Sequence, residues 1–286
     1  MRKYRYEDYV EIKQNIRCPV ELQSLIIPLG INEEGTLESI DIGKNTLITG
    51  GSGCGRGDLL YSLVFGIITL FSHTETQLWL YDSELHSFDW LNGFNVPHVA
   101  CYISEESKEA TAAFIDNLAD EAQKRFDILF SSGCYSFEEH FTSTGKRLVP
   151  RVTVIVDFSE LLFKHLWELP KEYRYKLSNI LLFSEALNIS VTMCSADFKF
   201  YLWGDNIYPQ LFPQRIAMVQ SPHSVNQTMG CDVETELRPS ERTDLCVNQP
   251  DIHKLTSLTL YNTVAEFALS QHFSSASHAE VSIQED

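Results

Sequence analysis

A chain of 286 residues with a formal net charge of −17 has the length for one sizeable α/β core, and its charge repels polyanions, which counts against strong non-specific DNA binding. No apolar run is long enough to span a bilayer, and Met1-Arg2-Lys3-Tyr4-Arg5-Tyr6-Glu7 has no apolar signal core. The expectation is a soluble cytoplasmic protein that meets a membrane complex only through a partner, without direct membrane insertion. Seven cysteines, scattered without C-x-x-C pairs, predict a reduced compartment and no structural zinc.

Residues 1–43 read as a polar lead followed by a small β element. In it Leu25 to Gly30 and Glu38 to Ile42 flank the turn Asn32-Glu33-Glu34-Gly35 and deliver the chain to a buried strand at Lys44–Thr49. The glycines of Gly50-Gly51-Ser52-Gly53-Cys54-Gly55-Arg56-Gly57-Asp58 follow, and then an apolar helix from Leu59 to Phe71. Strand, glycine turn and helix form the context of a phosphate-binding loop, G-x-x-x-x-G-K-[ST]. In such a loop backbone N–H groups surround phosphate, a lysine meets the β/γ oxygens and a hydroxyl holds Mg²⁺. Here Arg56 stands at the lysine position and Gly57 at the hydroxyl position. The candidate cofactor-binding residues are therefore Gly50, Ser52, Gly53, Cys54, Gly55, Arg56, Gly57 and Asp58, with Cys54 the one cysteine placed to turn a thiol toward a ligand.

Gln77–Tyr81, ending at Asp82, and His98–Tyr102 are strand-like. Apolar residues at 110, 114, 118, 122, 126 and 130 mark one face of a long helix between Glu105 and Phe130. Ser131 to Arg151 is a polar excursion, entering the strand Val152–Asp157. A helix at Glu172–Leu187 and strands at Ile189–Cys194 and Arg215–Val219 complete an alternating pattern. Such alternation predicts an α/β fold with a mainly parallel sheet covered by helices on both faces. We place the main domain at 44–270 and a disordered acidic tail at 271–286, small and polar from Ser274 onward.

In order and spacing, these segments resemble the FtsK/SpoIIIE P-loop ATPase domain of DNA translocases, type VII secretion and conjugation motors, over roughly residues 22 to 245. The match is carried by Ile26-Ile27-Pro28-Leu29-Gly30, the glycine loop, Leu80-Tyr81-Asp82-Ser83-Glu84, Val96-Pro97-His98, Ala122-Gln123-Lys124-Arg125-Phe126, the segment from Pro150-Arg151-Val152 to Leu161, and Pro213-Gln214-Arg215-Ile216-Ala217. The resemblance implies a P-loop NTPase of RecA/FtsK-like fold, with ATP and Mg²⁺ as cofactors and Asp157 near, though not directly on, the Mg²⁺ ion.

Departures from the family pattern fall on its chemistry. Phe158-Ser159-Glu160 follows Asp157 directly, so the glutamate that would polarise water is missing. Glu160 aligns further along the chain and is a poor substitute; Asp157 and Glu160 are the candidate catalytic residues. Cys194-Ser195-Ala196 replaces the sensor "A-T-Q", and Glu84 reverses a basic position. Arg56 keeps a positive charge and a planar fork that grips phosphate. Asp58 either fills the anion nest or points outward as an ordinary first-turn acid.

Efficient hydrolysis is unexpected when several such groups are lost together. The first functional reading is a pseudo-ATPase serving as a structural or regulatory subunit, partnered by itself or by an active FtsK-like motor. The alternatives are a nucleotide sensor and an active DNA or protein translocase completed by a neighbouring subunit, with Arg125 or Arg215 either reaching across an interface or serving as structural salt-bridge residues. Trp79, Trp90, Trp167 and Trp203 read as core packing rather than a base-stacking platform, and His98 as a turn residue.

Overall fold

The structure, a computed structural model, describes residues 25–31, 37–82, 86–91, 94–105, 107–196, 211–218, 220–229, 244–249 and 252–257. The N-terminal lead, the turn at 32–35, Glu84, Trp203 and the C-terminal tail lie outside these residues.

Strands β1 (Ile26–Ile31) and β2 (Leu37–Asp41) form the expected antiparallel hairpin. Strand β3 (Thr46–Thr49) enters the centre of the main sheet, and helix α1 (Arg56–Leu70) leaves the glycine loop. Then follow β4 (Thr76–Tyr81), β5 (Val99–Ile103), α2 (Lys108–Ser132), α3 (Phe137–Thr144) and β6 (Arg151–Val156). The remainder comprises α4 (Ser159–Glu168), α5 (Lys171–Phe183), β7 (Ile189–Ser195), β8 (Gln214–Met218), α6 (Pro222–Met229), β9 (Asp244–Gln249) and β10 (Ile252–Ser257). The sheet order is β10-β9-β8-β3-β7-β6-β4-β5. Its six strands from β8 to β5 run parallel, whereas β9 and β10 add an antiparallel edge.

Alternation of side chains along the strands divides the core into two layers. Ile48, Ile155 and Cys194 face α1 and the hairpin, while their neighbours Leu47, Val154 and Met193 face α2, α4 and α5. Helices therefore cover both faces, as expected. Every residue of β6 and β7 is buried, which is why those strands read as continuous apolar runs.

Several local features differ from expectation. Helix α2 begins at the cap Ser107, whose side chain accepts from the Ala110 N–H, and ends at Gly133 in the left-handed region. The stride-of-four stripe does not all reach the core: Phe114 and Leu118 are buried, but Phe126 is 56% and Phe130 81% exposed. At 3.6 residues per turn each step of four overshoots by about 40°, so the stripe winds out into solvent. The polar excursion contains α3, begun by Ser136, which accepts from the Glu139 N–H at 3.1 Å while Glu139 accepts from the Tyr135 N–H at 2.7 Å. Helices α4 and α6 and the hairpin β9–β10 also escaped the reading.

Asn45, buried just before β3, fixes the central strand. Its Nδ2 donates to the carbonyls of Leu181 and Leu211 and to Ser184 Oγ, and its Oδ1 accepts from the Val191 N–H. Asn45→Ala should strand these buried groups and lower unfolding free energy by about 1–3 kcal/mol, measurable by urea denaturation.

Candidate nucleotide-binding site

The glycine loop starts where β3 lies between β7 and β8, and the Gly50 N–H donates to Ser195 O at 3.1 Å. A Cβ at Gly50 would stand 2.5 Å from Cys54 Sγ and 2.8 Å from Met218 Cβ, so this position takes only glycine. Gly55 caps α1 at φ +94°, a conformation costly for any residue with a Cβ. Ser52, Gly53, Gly57 and Asp58 are exposed. Cys54 does not turn outward: its side chain is buried in the core layer beneath the loop, and burial pushes the thiol pKa up. Asp58 has the exposed position of an ordinary first-turn acid, its carbonyl accepting from Ser62 Oγ.

Arg56 is the first residue of α1, at the helix end where the dipole favours anions. Its Cζ lies 6.0 Å from the ring centroid of Phe158, and its Nη1 is buried without a hydrogen-bond partner among the described residues. Phe158 sits in the left-handed region at φ +54°, strained for an aromatic residue, and forms the cap of α4. The residue that directly follows Asp157 is therefore an aromatic ring lying against the loop's cation.

Asp157 is almost fully buried at the end of β6, its N–H donating to Tyr81 O on the adjacent β4. Because β4 neighbours β6, the turn after β4 hangs over this carboxylate. Ser87 Oγ donates to Asp157 Oδ2 at 2.6 Å and lies 4.0 Å from where a Cβ on Gly57 would be. Asp82 holds that turn in place: it accepts from the N–H groups of Ser87 and Phe88 and from the Tyr102 hydroxyl. Burial first, then Asp82, raises the Tyr102 pKa. Asp82, His86 and Asp89 bring ligand atoms within 4.8 Å of one another, although Asp82 is engaged as described.

Glu160 reaches back to the end of β7, where Oε1 accepts from Ser195 Oγ at 2.7 Å and the Ala196 N–H at 2.5 Å. The altered sensor segment is thus tied to α4. An amide does approach the loop's base, from just past the end of the neighbouring strand β8: Gln220 Nε2 donates to Thr49 Oγ1 at 2.8 Å. Sequence reading missed Ser87 and Gln220, because their positions follow from which strands are adjacent and no local motif announces it.

The other candidates have structural surroundings. Arg125 is 1% exposed and bonded within its own subunit, so it does not reach a neighbour. Arg215 donates to Phe212 O and Met229 O. His98 is buried with Nε2 at 2.9 Å from Phe71 O. Trp79 packs near Phe114 and Trp90 against Tyr61. Trp167, by contrast with its expected place in the core, is 52% exposed beneath the Arg174 guanidinium.

A hydroxyl and a carboxylate are oxygen donors of the kind Mg²⁺ takes, and an orphaned guanidinium nitrogen at a helix N-terminus calls for an anionic acceptor. The residues present therefore fit a magnesium-bound phosphate chain.

Parallel sheet, glycine loop and flanking helices define an α/β P-loop NTPase fold. Solved structures share it: the EssC segment containing ATPases 2 and 3 from Geobacillus thermodenitrificans (TM-score 0.70, 14% identity, covering 88% of this chain and 50% of that one), and the cytoplasmic domain of the type VII secretion ATPase EccC from Thermomonospora curvata (TM-score 0.68, 16% identity, 90% and 32%). The pCW3 conjugation coupling protein TcpA, determined with ATPγS, is similar too (TM-score 0.64, 16% identity, 90% and 72%). The structural neighbours are ATPases of the FtsK/SpoIIIE type, and this chain spans only half of the EssC segment and about a third of the EccC domain. No protein-family model and no curated protein sequence matches the chain. Among the described residues no helix is long and apolar enough to cross a membrane.

Proposed function

We propose that this chain is a hydrolysis-deficient FtsK/SpoIIIE-like domain, a pseudo-ATPase that serves as a structural or regulatory subunit of a translocation, secretion or conjugation assembly. The observation that carries this reading is the ring of Phe158 against Arg56 directly after Asp157, where the family pattern has a water-activating glutamate. Glu160, the nearest acid along the chain, is engaged with Ser195 and Ala196. Losing one such base lowers rates by roughly 10²–10⁴. Similarity to a secretion ATPase and a conjugation coupling protein supports the class of assembly; its partner is a second copy or an active motor, and the acidic chain disfavours DNA.

A specific observation extends the reading toward a nucleotide sensor: the orphaned Arg56 Nη1 favours retention of ATP without turnover. The active translocase reading is the weaker one, since Arg125 is enclosed within its own subunit. The test is phosphate release at millimolar ATP·Mg²⁺, with and without duplex DNA. The expected result is release no faster than in buffer under both conditions. Hydrolysis stimulated by DNA and abolished by Asp157→Asn would revive the translocase and overturn the proposal.

A further inference from the structure

We infer that Ser87 supplies, from a turn distant in sequence, the hydroxyl that the phosphate-binding loop lacks at Gly57, so that Ser87 and Asp157 together hold the divalent cation accompanying a bound nucleotide. This rests on the reading that the loop still grips phosphate.

Three observations converge on it. Ser87 Oγ and Asp157 Oδ2 are already in contact at 2.6 Å, the hydroxyl–carboxylate pairing that would present two hard oxygen ligands to Mg²⁺. The same Oγ stands 4.0 Å from the Cβ position of Gly57, so it occupies the neighbourhood that a serine or threonine at 57 would fill. Asp82 fixes the turn through two N–H groups, from Ser87 itself and from Phe88, so the hydroxyl is pre-positioned on a braced backbone. Arg56, with its unbonded Nη1, lies one residue from Gly57 and offers the phosphate its cationic contact. Ser87 is only partly buried, which leaves its hydroxyl open to an incoming ion above the buried Asp157.

The experiment is equilibrium binding of a fluorescent ATP analogue to the full chain, in excess Mg²⁺ and in EDTA, with the melting temperature of each ligand-free variant recorded. Wild type should bind at least tenfold more tightly with Mg²⁺, an effect on the order of that produced by losing one group around a metal site. Ser87→Ala should lose that gain and keep the affinity measured in EDTA. Adding Gly57→Ser to Ser87→Ala should restore it, since among the described residues no neighbour closer than Ser87 Oγ obstructs a Cβ there. If Ser87→Ala fails to fold, Ser87→Cys provides the second test: a thiolate-preferring ion such as Cd²⁺ should enhance binding where Mg²⁺ no longer does, beyond any Cd²⁺ effect in wild type.

A Mg²⁺ dependence unchanged in Ser87→Ala, or a Ser87→Cys protein with the wild-type metal preference, overturns the assignment of Ser87. Equal wild-type affinity with Mg²⁺ and EDTA overturns the cation pair while leaving the phosphate grip standing. Absence of binding under both conditions overturns the grip, and this inference falls with it.

Discussion

Arg125→Ala is expected to destabilise the protein by about 3–5 kcal/mol, as when one partner of a buried charged network is removed. The guanidinium is 1% exposed and distributes its donors across three segments that meet at the far end of the sheet. Nη1 donates to Leu187 O and Asn188 O, Nη2 to Pro150 O at 2.8 Å, and Nε to Glu121 Oε1 at 2.8 Å. The carbonyls belong to the chain entering β6 and β7, so one side chain on α2 sets where two central strands begin. Burial lowers the Arg125 pKa, and Glu121 opposes the shift. Alanine would take the guanidinium away from Leu187 O, Pro150 O and the Glu121 carboxylate, and would remove one of two donors from Asn188 O, which also accepts from the Val152 N–H. Arg125→Lys keeps the charge but cannot reproduce the fork, and should fall between wild type and alanine. Urea unfolding measures all three; a loss below 1 kcal/mol for alanine would mean that water replaces the guanidinium without penalty.

The second large effect concerns ligand rather than stability. Arg56→Ala should weaken ATP·Mg²⁺ binding by about 10- to 100-fold, the equivalent of one charge-assisted hydrogen bond of roughly 1.5–3 kcal/mol. The ligand-free protein should be little affected, because Nη1 makes no hydrogen bond there. What alanine loses without ligand is mainly the 6.0 Å contact with Phe158. Arg56→Lys should bind at least as well as wild type, since a compact ammonium suits the loop's ordinary geometry. Calorimetric titration of the three proteins decides the matter, and equal affinity for wild type and alanine would remove Arg56 from the site.

The parallel sheet was legible because its strands are buried on both faces and interrupted by helices, a pattern that survives without any homologue. The glycine loop was equally legible, since Gly50 is demanded by close contact and Gly55 by positive φ, constraints that leave a local mark. The capping signature Ser136-Phe137-Glu138-Glu139 stood in the sequence and went unread within a polar stretch. Hairpin β9–β10 joins the sheet edge by pairing with β8, a long-range choice that no short window records. The site divides in the same way. Arg56, Gly57 and Asp157 announce themselves by spacing, whereas Ser87 acquires meaning only when the adjacency of β4 and β6 brings its hydroxyl to Asp157. Asp58, read with two alternatives, is exposed, a position that both alternatives share.

We propose that the loop retains its grip on a triphosphate while the machinery for cleaving it is gone. ³¹P magnetic resonance of ATP·Mg²⁺ mixed with an equimolar amount of the protein and followed over hours tests both halves at once. The expected spectrum has γ- and β-phosphorus signals broadened by the protein, with no inorganic phosphate peak growing in. Sharp, unperturbed signals would contradict the grip, and a growing phosphate peak that Asp157→Asn abolishes would contradict the loss of catalysis.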